Sequence, residues 1–180
     1  MMHQTRRFGY GESDELQVLA LPYLGNMAML ILLPKKTDGL AELEKSLSGE
    51  NLKKWTTTLK PRLVKVSLPR FKMTAEFSLR DVLMSMGMKL PFSERADFTG
   101  MSTEEPLSIS AVIHKAFVDV NEEGTEAAAA TAVTIALAMA VEPKPEEPVE
   151  FRADHPFVFL LRDHQTGSIL FMGRLANPKE

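Results

Sequence analysis

Two apolar runs, Leu16-Gln17-Val18-Leu19-Ala20-Leu21 ending at Pro22 and Met27 to Leu33 ending at Pro34, flank the turn-forming residues Tyr23 to Asn26. The pair predicts an antiparallel hairpin. The second run is apolar at every position, the pattern of a strand covered on both faces. Leu40, Leu43 and Leu47, then Leu52, Trp55 and Leu59, follow at helical spacing and predict two short helices, the first capped by Asp38. RLVKVSLPRFK, residues 62–72, alternates apolar and polar positions and predicts a half-exposed strand. Ser78 to Met86 predicts an amphipathic helix with Ser78 as its cap and Gly87 at its end, and Met84, Met86 and Met88 read as adaptable core filler.

Leu107 to Val120 carries β-branched and aromatic residues at strand density, over a length unusual for a strand. Beyond it the local signals conflict. Alanine favours a helix across residues 126–139, yet Thr125, Ala127, Ala129, Thr131, Val133, Ile135 and Leu137 fall on one face of a strand, small at first and then larger. A central strand entering a crowded sheet needs small residues on its buried face, so this segment suits more than one conformation. Glu142 to Pro148 reads as a stiff, charged, proline-rich linker. Pro156 to Leu161 and Ser168 to Gly173 predict a second hairpin that turns at Asp163 to Gly167.

Composition narrows the function. With 180 residues, 44% hydrophobic and 25% charged, the chain falls in the range of an ordinary soluble domain, and its length favours one. A net charge of −3 provides no global basic field for nucleic acid or an anionic membrane. The charge is uneven, +3 over residues 1–115 and −6 over residues 116–180. Seven Lys or Arg and no acid lie between Asn51 and Ala75; a solvated strand face explains them better than a polyanion site, since no aromatic is interleaved. The absence of cysteine excludes disulfides, thiolate metal sites and cysteine nucleophiles. The uncharged stretch from Ala127 to Val141 is too short and too weakly apolar for a bilayer, and no signal segment is expected at Met1 to Tyr10. No G-x-S-x-G elbow, P-loop or dinucleotide fingerprint accompanies the serines, which argues against a hydrolase. His3, His155 and His164 lack metal-ligand spacing, so neither a metal nor a cofactor is expected.

VNEEGTEAAAAT, residues 120–131, resembles the reactive-centre-loop hinge of the serpins, a family of serine protease inhibitors, and HPFVFLLRDHQTGSILFMGRLANP, residues 155–178, resembles the family's C-terminal signature. LPYLGNMAMLILLP (21–34), LPRFKM (68–73), ADFTGM (96–101) and ISAVIHKAFVDVNEEG (109–124) are similar to further family segments, in the family's order. The resemblance implies an α+β serpin-like fold of antiparallel sheets with a few short helices. It also implies that residues 1–180 are the C-terminal portion of one serpin domain whose N-terminal half is absent.

Carried onto this chain, the resemblance assigns the hinge and reactive-centre loop to residues 122–150, with Glu122, Glu123, Gly124, Thr125, Glu126, Ala127, Ala128, Ala129, Ala130 and Thr131 as the hinge. Family spacing puts the scissile bond between Ala138 and Met139, which implies an elastase-like or subtilisin-like target. A shift of one residue would make Leu137 or Met139 the recognised side chain and suit a chymotrypsin-like pocket. Thr125, Ala127, Ala129 and Thr131 are neither charged nor bulky nor proline, as an inhibitory hinge requires. His114 matches a residue that helps hold the strands of the opening sheet shut, and Arg70 and Glu122 match positions that pair across it. The resemblance implies a monomeric, extracellular, non-enzymatic inhibitor whose partner is a serine protease held as a covalent acyl complex by the full-length parent. The fragment alone is expected to be inactive. A non-inhibitory serpin acting as a binding protein is the alternative.

Overall fold

The computed structural model describes residues 1–122 and 146–178. The chain divides into two compact units, one of Met1–Phe71 with Val120–Glu180 and one of Lys72–Asp119.

The larger unit is built on a mixed sheet of seven strands: β1 (Met2–Glu12), β2 (Leu16–Pro22), β3 (Met27–Pro34), β4 (Lys60–Leu68), β7 (Val149–Arg152), β8 (Phe157–Asp163) and β9 (Ile169–Leu175), in the order β7-β4-β1-β2-β3-β8-β9. Both expected hairpins form. β2 and β3 pair from Leu16↔Pro34 to Pro22↔Ala28, around a turn in which Gly25 takes a positive φ of 78°. β8 and β9 pair around a turn tied by the Asp163 carboxylate, which accepts from the Gln165 N–H (2.9 Å) and the Thr166 hydroxyl (2.9 Å). β3 is buried along nearly its whole length: neighbours Ile31 and Leu32 project to opposite faces and both are fully inaccessible.

Helices α1 (Leu40–Ser46) and α2 (Gly49–Thr57) cover one face. Their Leu40, Leu43, Leu47, Leu52 and Trp55, with Leu59, pack on Leu16, Val18, Leu30, Leu32, Val158 and Leu160. The first cap differs from expectation. Gly39, not Asp38, precedes α1, without a side-chain cap bond, and a Cβ at Gly39 would press on Pro34 and the Lys36 carbonyl. Ser48 caps α2 by accepting from the Asn51 N–H at 3.1 Å. Across the sheet, Phe71 packs on Phe157 and Phe159, with ring centroids 6.1 and 5.3 Å away.

The half-exposed strand expected at 62–72 is two strands. β4 ends at Leu68, and β5 (Phe71–Ser78) starts after Pro69 and Arg70, because proline cannot donate to a ladder. β1 and β7 had no clear pattern in sequence. β1 nonetheless lies between β2 and β4, pairing with β4 from Met2↔Leu68 to Tyr10↔Lys60. β7 adds to β4 in parallel, from Val64↔Val149 to Ser67↔Arg152, just after the segment read as a linker.

The smaller unit holds most of β5, which pairs with β6 (Ile113–Val120) in a two-stranded sheet, together with α3 (Arg80–Ser85) and a single 3-10 turn at Leu90–Phe92. The strand density from Leu107 overstates β6, which begins six residues later. Ser78 ends β5 instead of capping α3, whose N-cap is Leu79; Gly87, with φ 105°, does follow the helix. The amphipathic-helix reading is corrected too: α3 has no buried residue, Val82 is half exposed, and Met86 and Met88 face solvent, so of the three methionines Met84 alone is partly covered.

Candidate functional site

β6 delivers the chain directly to Glu122, the last described residue before 123–145, and β7 receives it again after Glu146. Each of these flanking carboxylates meets arginine. Glu122 accepts on Oε1 from Arg70 Nε at 2.7 Å, and a second nitrogen of the same guanidinium converges on that oxygen. Arg70 reaches it from the bend between β4 and β5 that Pro69 creates. Hydrogen bonding to Arg70, first among the causes, holds the Glu122 carboxyl below its ordinary range. Both side chains are exposed, so the pair defines a position more than it stabilises the fold.

Arg70 and Glu122 are thus brought together as the sequence implied. His114 lies on β6 in the smaller unit, exposed and without a hydrogen-bond partner among the described residues. Glu123, Gly124, Thr125, Glu126, Ala127 to Ala130, Thr131, Ala138 and Met139 lie outside the described residues.

Beside Glu122, a cavity of about 130 Å³ opens between β1, β2 and β4, lined by His3, Leu21, Val66 and Leu68. The His3 ring nitrogen Nδ1 lies 3.0 Å from the hydroxyl of buried Ser67. Among the described residues no group of three or more His, Cys, Asp or Glu could hold a metal ion.

Two clusters of contacts, at Glu146 and at His155, escaped the sequence reading. Glu146 takes Arg7 Nη2 at 2.5 Å on one carboxylate oxygen, and Arg62 Nε and the Leu63 N–H, both at 3.4 Å, on the other. His155 places Nε2 2.6 Å from the Pro34 carbonyl oxygen and Nδ1 2.9 Å from Asp154, fastening the β7–β8 connection to the end of β3. That hydrogen bond, with Arg152 nearby, holds the Asp154 carboxyl below its usual range. The basic run between Asn51 and Ala75 is largely answered by acids: Lys54 by Glu50, Arg62 by Glu146, Arg70 by Glu122 and Lys72 by Asp119. A polyanion would have to displace those carboxylates.

The serpin (serine protease inhibitor) family profile matches residues 1–178. The chain belongs to the serpin family. It is 49% identical to an uncharacterized serpin-like protein of Thermococcus kodakarensis, over 100% of this chain and 42% of that protein. It is 46% identical to the leukocyte elastase inhibitor of Bos taurus, over 99% of this chain and 48% of that protein. Among solved structures, uncleaved ovalbumin superposes with a TM-score of 0.81 at 35% identity, covering 98% of this chain and 44% of ovalbumin. Thyroxine-binding globulin in complex with thyroxine superposes equally well at 30% identity, covering 99% of this chain and 46% of that one. The α+β fold of mixed sheets with few helices is that of these serpins. The chain spans a little under half the length of the relatives it matches.

Proposed function

We propose that this chain is the C-terminal, loop-bearing portion of a suicide-substrate serpin, and that residues 122–150 are its hinge and reactive-centre loop. The observation that carries this reading is the run of small uncharged residues at Thr125, Ala127, Ala129 and Thr131, placed directly after a strand, β6, which among the described residues pairs on one side only, with β5. In this reading the protease serine attacks the Ala138 carbonyl. The Ala138–Met139 amide breaks, its nitrogen leaves with a proton from the protease histidine, and Ala138 remains esterified to the enzyme. Thr125 to Leu137 then enters the sheet beside β6. At about 3.3 Å per residue the acylated end travels roughly 43 Å. Insertion that outruns hydrolysis of the ester traps the enzyme. A small side chain at Ala138 favours an elastase-like or subtilisin-like target, and the absence of Lys or Arg from Leu137 to Ala140 disfavours a trypsin-like one.

His114 would then help keep the sheet shut, and Arg70 with Glu122 would mark where insertion starts. The partner is a serine protease held covalently by a monomeric inhibitor, and an extracellular site of action rests on family membership alone. A non-inhibitory binding role is the competing reading, favoured by the match to a thyroxine-binding serpin.

The deciding experiment incubates the full-length parent with an elastase-like or subtilisin-like protease and looks for an SDS-stable complex. Cleavage without a trapped complex sinks the inhibitor reading. Thr125→Arg should turn the parent into a plain substrate, because insertion would bury a charge; unchanged inhibition by that variant would reject the insertion mechanism. The 180-residue chain alone should not inhibit.

A further inference from the structure

We infer that Arg7 and Arg62 form a charge clamp on Glu146 that fixes the point at which the chain rejoins the sheet after residues 123–145. The clamp stands on geometry alone; its consequence for inhibition, as the C-terminal anchor of the bait, rests on the function proposed above.

β7 is poorly equipped to hold that position by itself. It is four residues long, lies at the sheet margin, and pairs in parallel, the less stable ladder. Its anchor is fully buried Phe151, toward its far end, while Val149 and Glu150 at the near end are partly or wholly exposed. Pro148 has no N–H to extend the ladder. The Glu146 carboxylate substitutes for the missing strand. The Leu63 N–H, one residue before the first ladder pair Val64↔Val149, is met by that carboxylate. Arg7 is in register with Leu63 and Arg62 with Phe8, so the two guanidiniums come from adjacent residue pairs of β1 and β4. Successive pairs of a ladder project to opposite faces, so the two guanidiniums leave the sheet on different sides, and Glu146 accepts one on each oxygen. Arg62 and Arg70 sit near opposite ends of β4, separated by on the order of 25 Å of nearly extended chain. One strand therefore helps to tether both flanks of residues 123–145.

The test is amide hydrogen exchange on the 180-residue chain. Glu146→Gln should speed exchange of the β7 amides by about threefold to tenfold, as expected for loss of a small ion-pair network, and leave β8 unchanged. Molar salt should move the unmodified chain the same way. Glu146→Arg should speed exchange further, and adding Arg7→Glu with Arg62→Glu should restore it, which a merely space-filling role would not allow. Exchange in Glu146→Gln equal to that of the unmodified chain, or no rescue by charge reversal, overturns the clamp. In the parent, Glu146→Arg should raise the number of inhibitor molecules consumed per protease trapped, and the reversal should lower it again. If exchange responds as described and the unmodified parent traps no protease, the inhibitor reading fails and the clamp stands.

Discussion

Leu19, Ile31, Leu32 and Leu160 of the larger unit are completely inaccessible, whereas in residues 72–119 Phe77, Val82, Ile113 and Phe117 are each more than half exposed and Met86 is 78% exposed. Phe92 is the one apolar side chain of that smaller unit that is buried among the described residues. A seven-stranded sheet with helices on one face supplies neighbours for every apolar position of β3. A two-stranded sheet cannot, and is marginal in water without further cover. The larger unit carries its own core, with Ile169 to Met172 of β9 as its exposed apolar margin; the smaller one presents apolar surface of the kind that marks an interaction site over most of its length.

Substitution and titration test this contrast. The largest effect is expected from Leu160→Ala, which leaves a void among Leu16, Leu30 and Leu32 and should cost about 2–5 kcal/mol in denaturant unfolding. Phe117→Ala, removing a larger side chain, should change the same transition by less than about 0.5 kcal/mol. Equal losses would show that β6 is covered after all. Smaller is Gly173→Ala on β9. The new methyl would lie 2.5 Å from the Phe159 ring, displacing it from Phe71, at a cost of about 1–3 kcal/mol. A neutral result would mean that this part of the core yields like the smaller unit.

The smallest effect is a pH dependence confined to the larger unit. Burial, with a hydrogen bond donated to Glu12, raises the Tyr10 phenol to about 12, and burial raises Tyr23 as well. The folded state binds the phenol protons more tightly than the unfolded state. Stability is therefore intact below pH 10 and declines as pH rises from 10 toward 12. Tyrosinate absorbance of the folded chain should lag that of the denatured chain, and coincident titrations would contradict the burial.

Legibility in sequence tracked apolar patterning and not the division into units. β2, β3, α1, α2 and β8 were readable because their apolar residues are spaced to meet the core. β9 was readable because the turn at Asp163 to Gly167 folds it back on β8, although its Ile169, Leu170, Phe171 and Met172 are exposed. β1 was not, since Gln4, Thr5, Arg6 and Arg7 hide a strand whose place is set by pairing with β4. For α3 and its methionines apolar periodicity predicts burial, but among the described residues they meet too few apolar neighbours to be buried. Of the candidate site, the Arg70–Glu122 contact was anticipated through family resemblance. Glu146 was not, because it lay inside what read as a charged linker, and its arginines are distant in sequence.

The strand order carries a consequence for how the molecule comes into being. β7 closes one margin of the large sheet, while β8 and β9 build the other, and all three lie in residues 149–175. During synthesis β1 to β4 can assemble as soon as they emerge, but among the described strands none covers either margin until residues 149–175 have left the ribosome. Pairs such as Met27↔Asp163 can form only then, so closure of the sheet is late and slow. β7, β8 and β9 are a clasp fastened from both sides at once, and a nascent chain waiting for it exposes the β3 edge to any neighbour with a strand to offer.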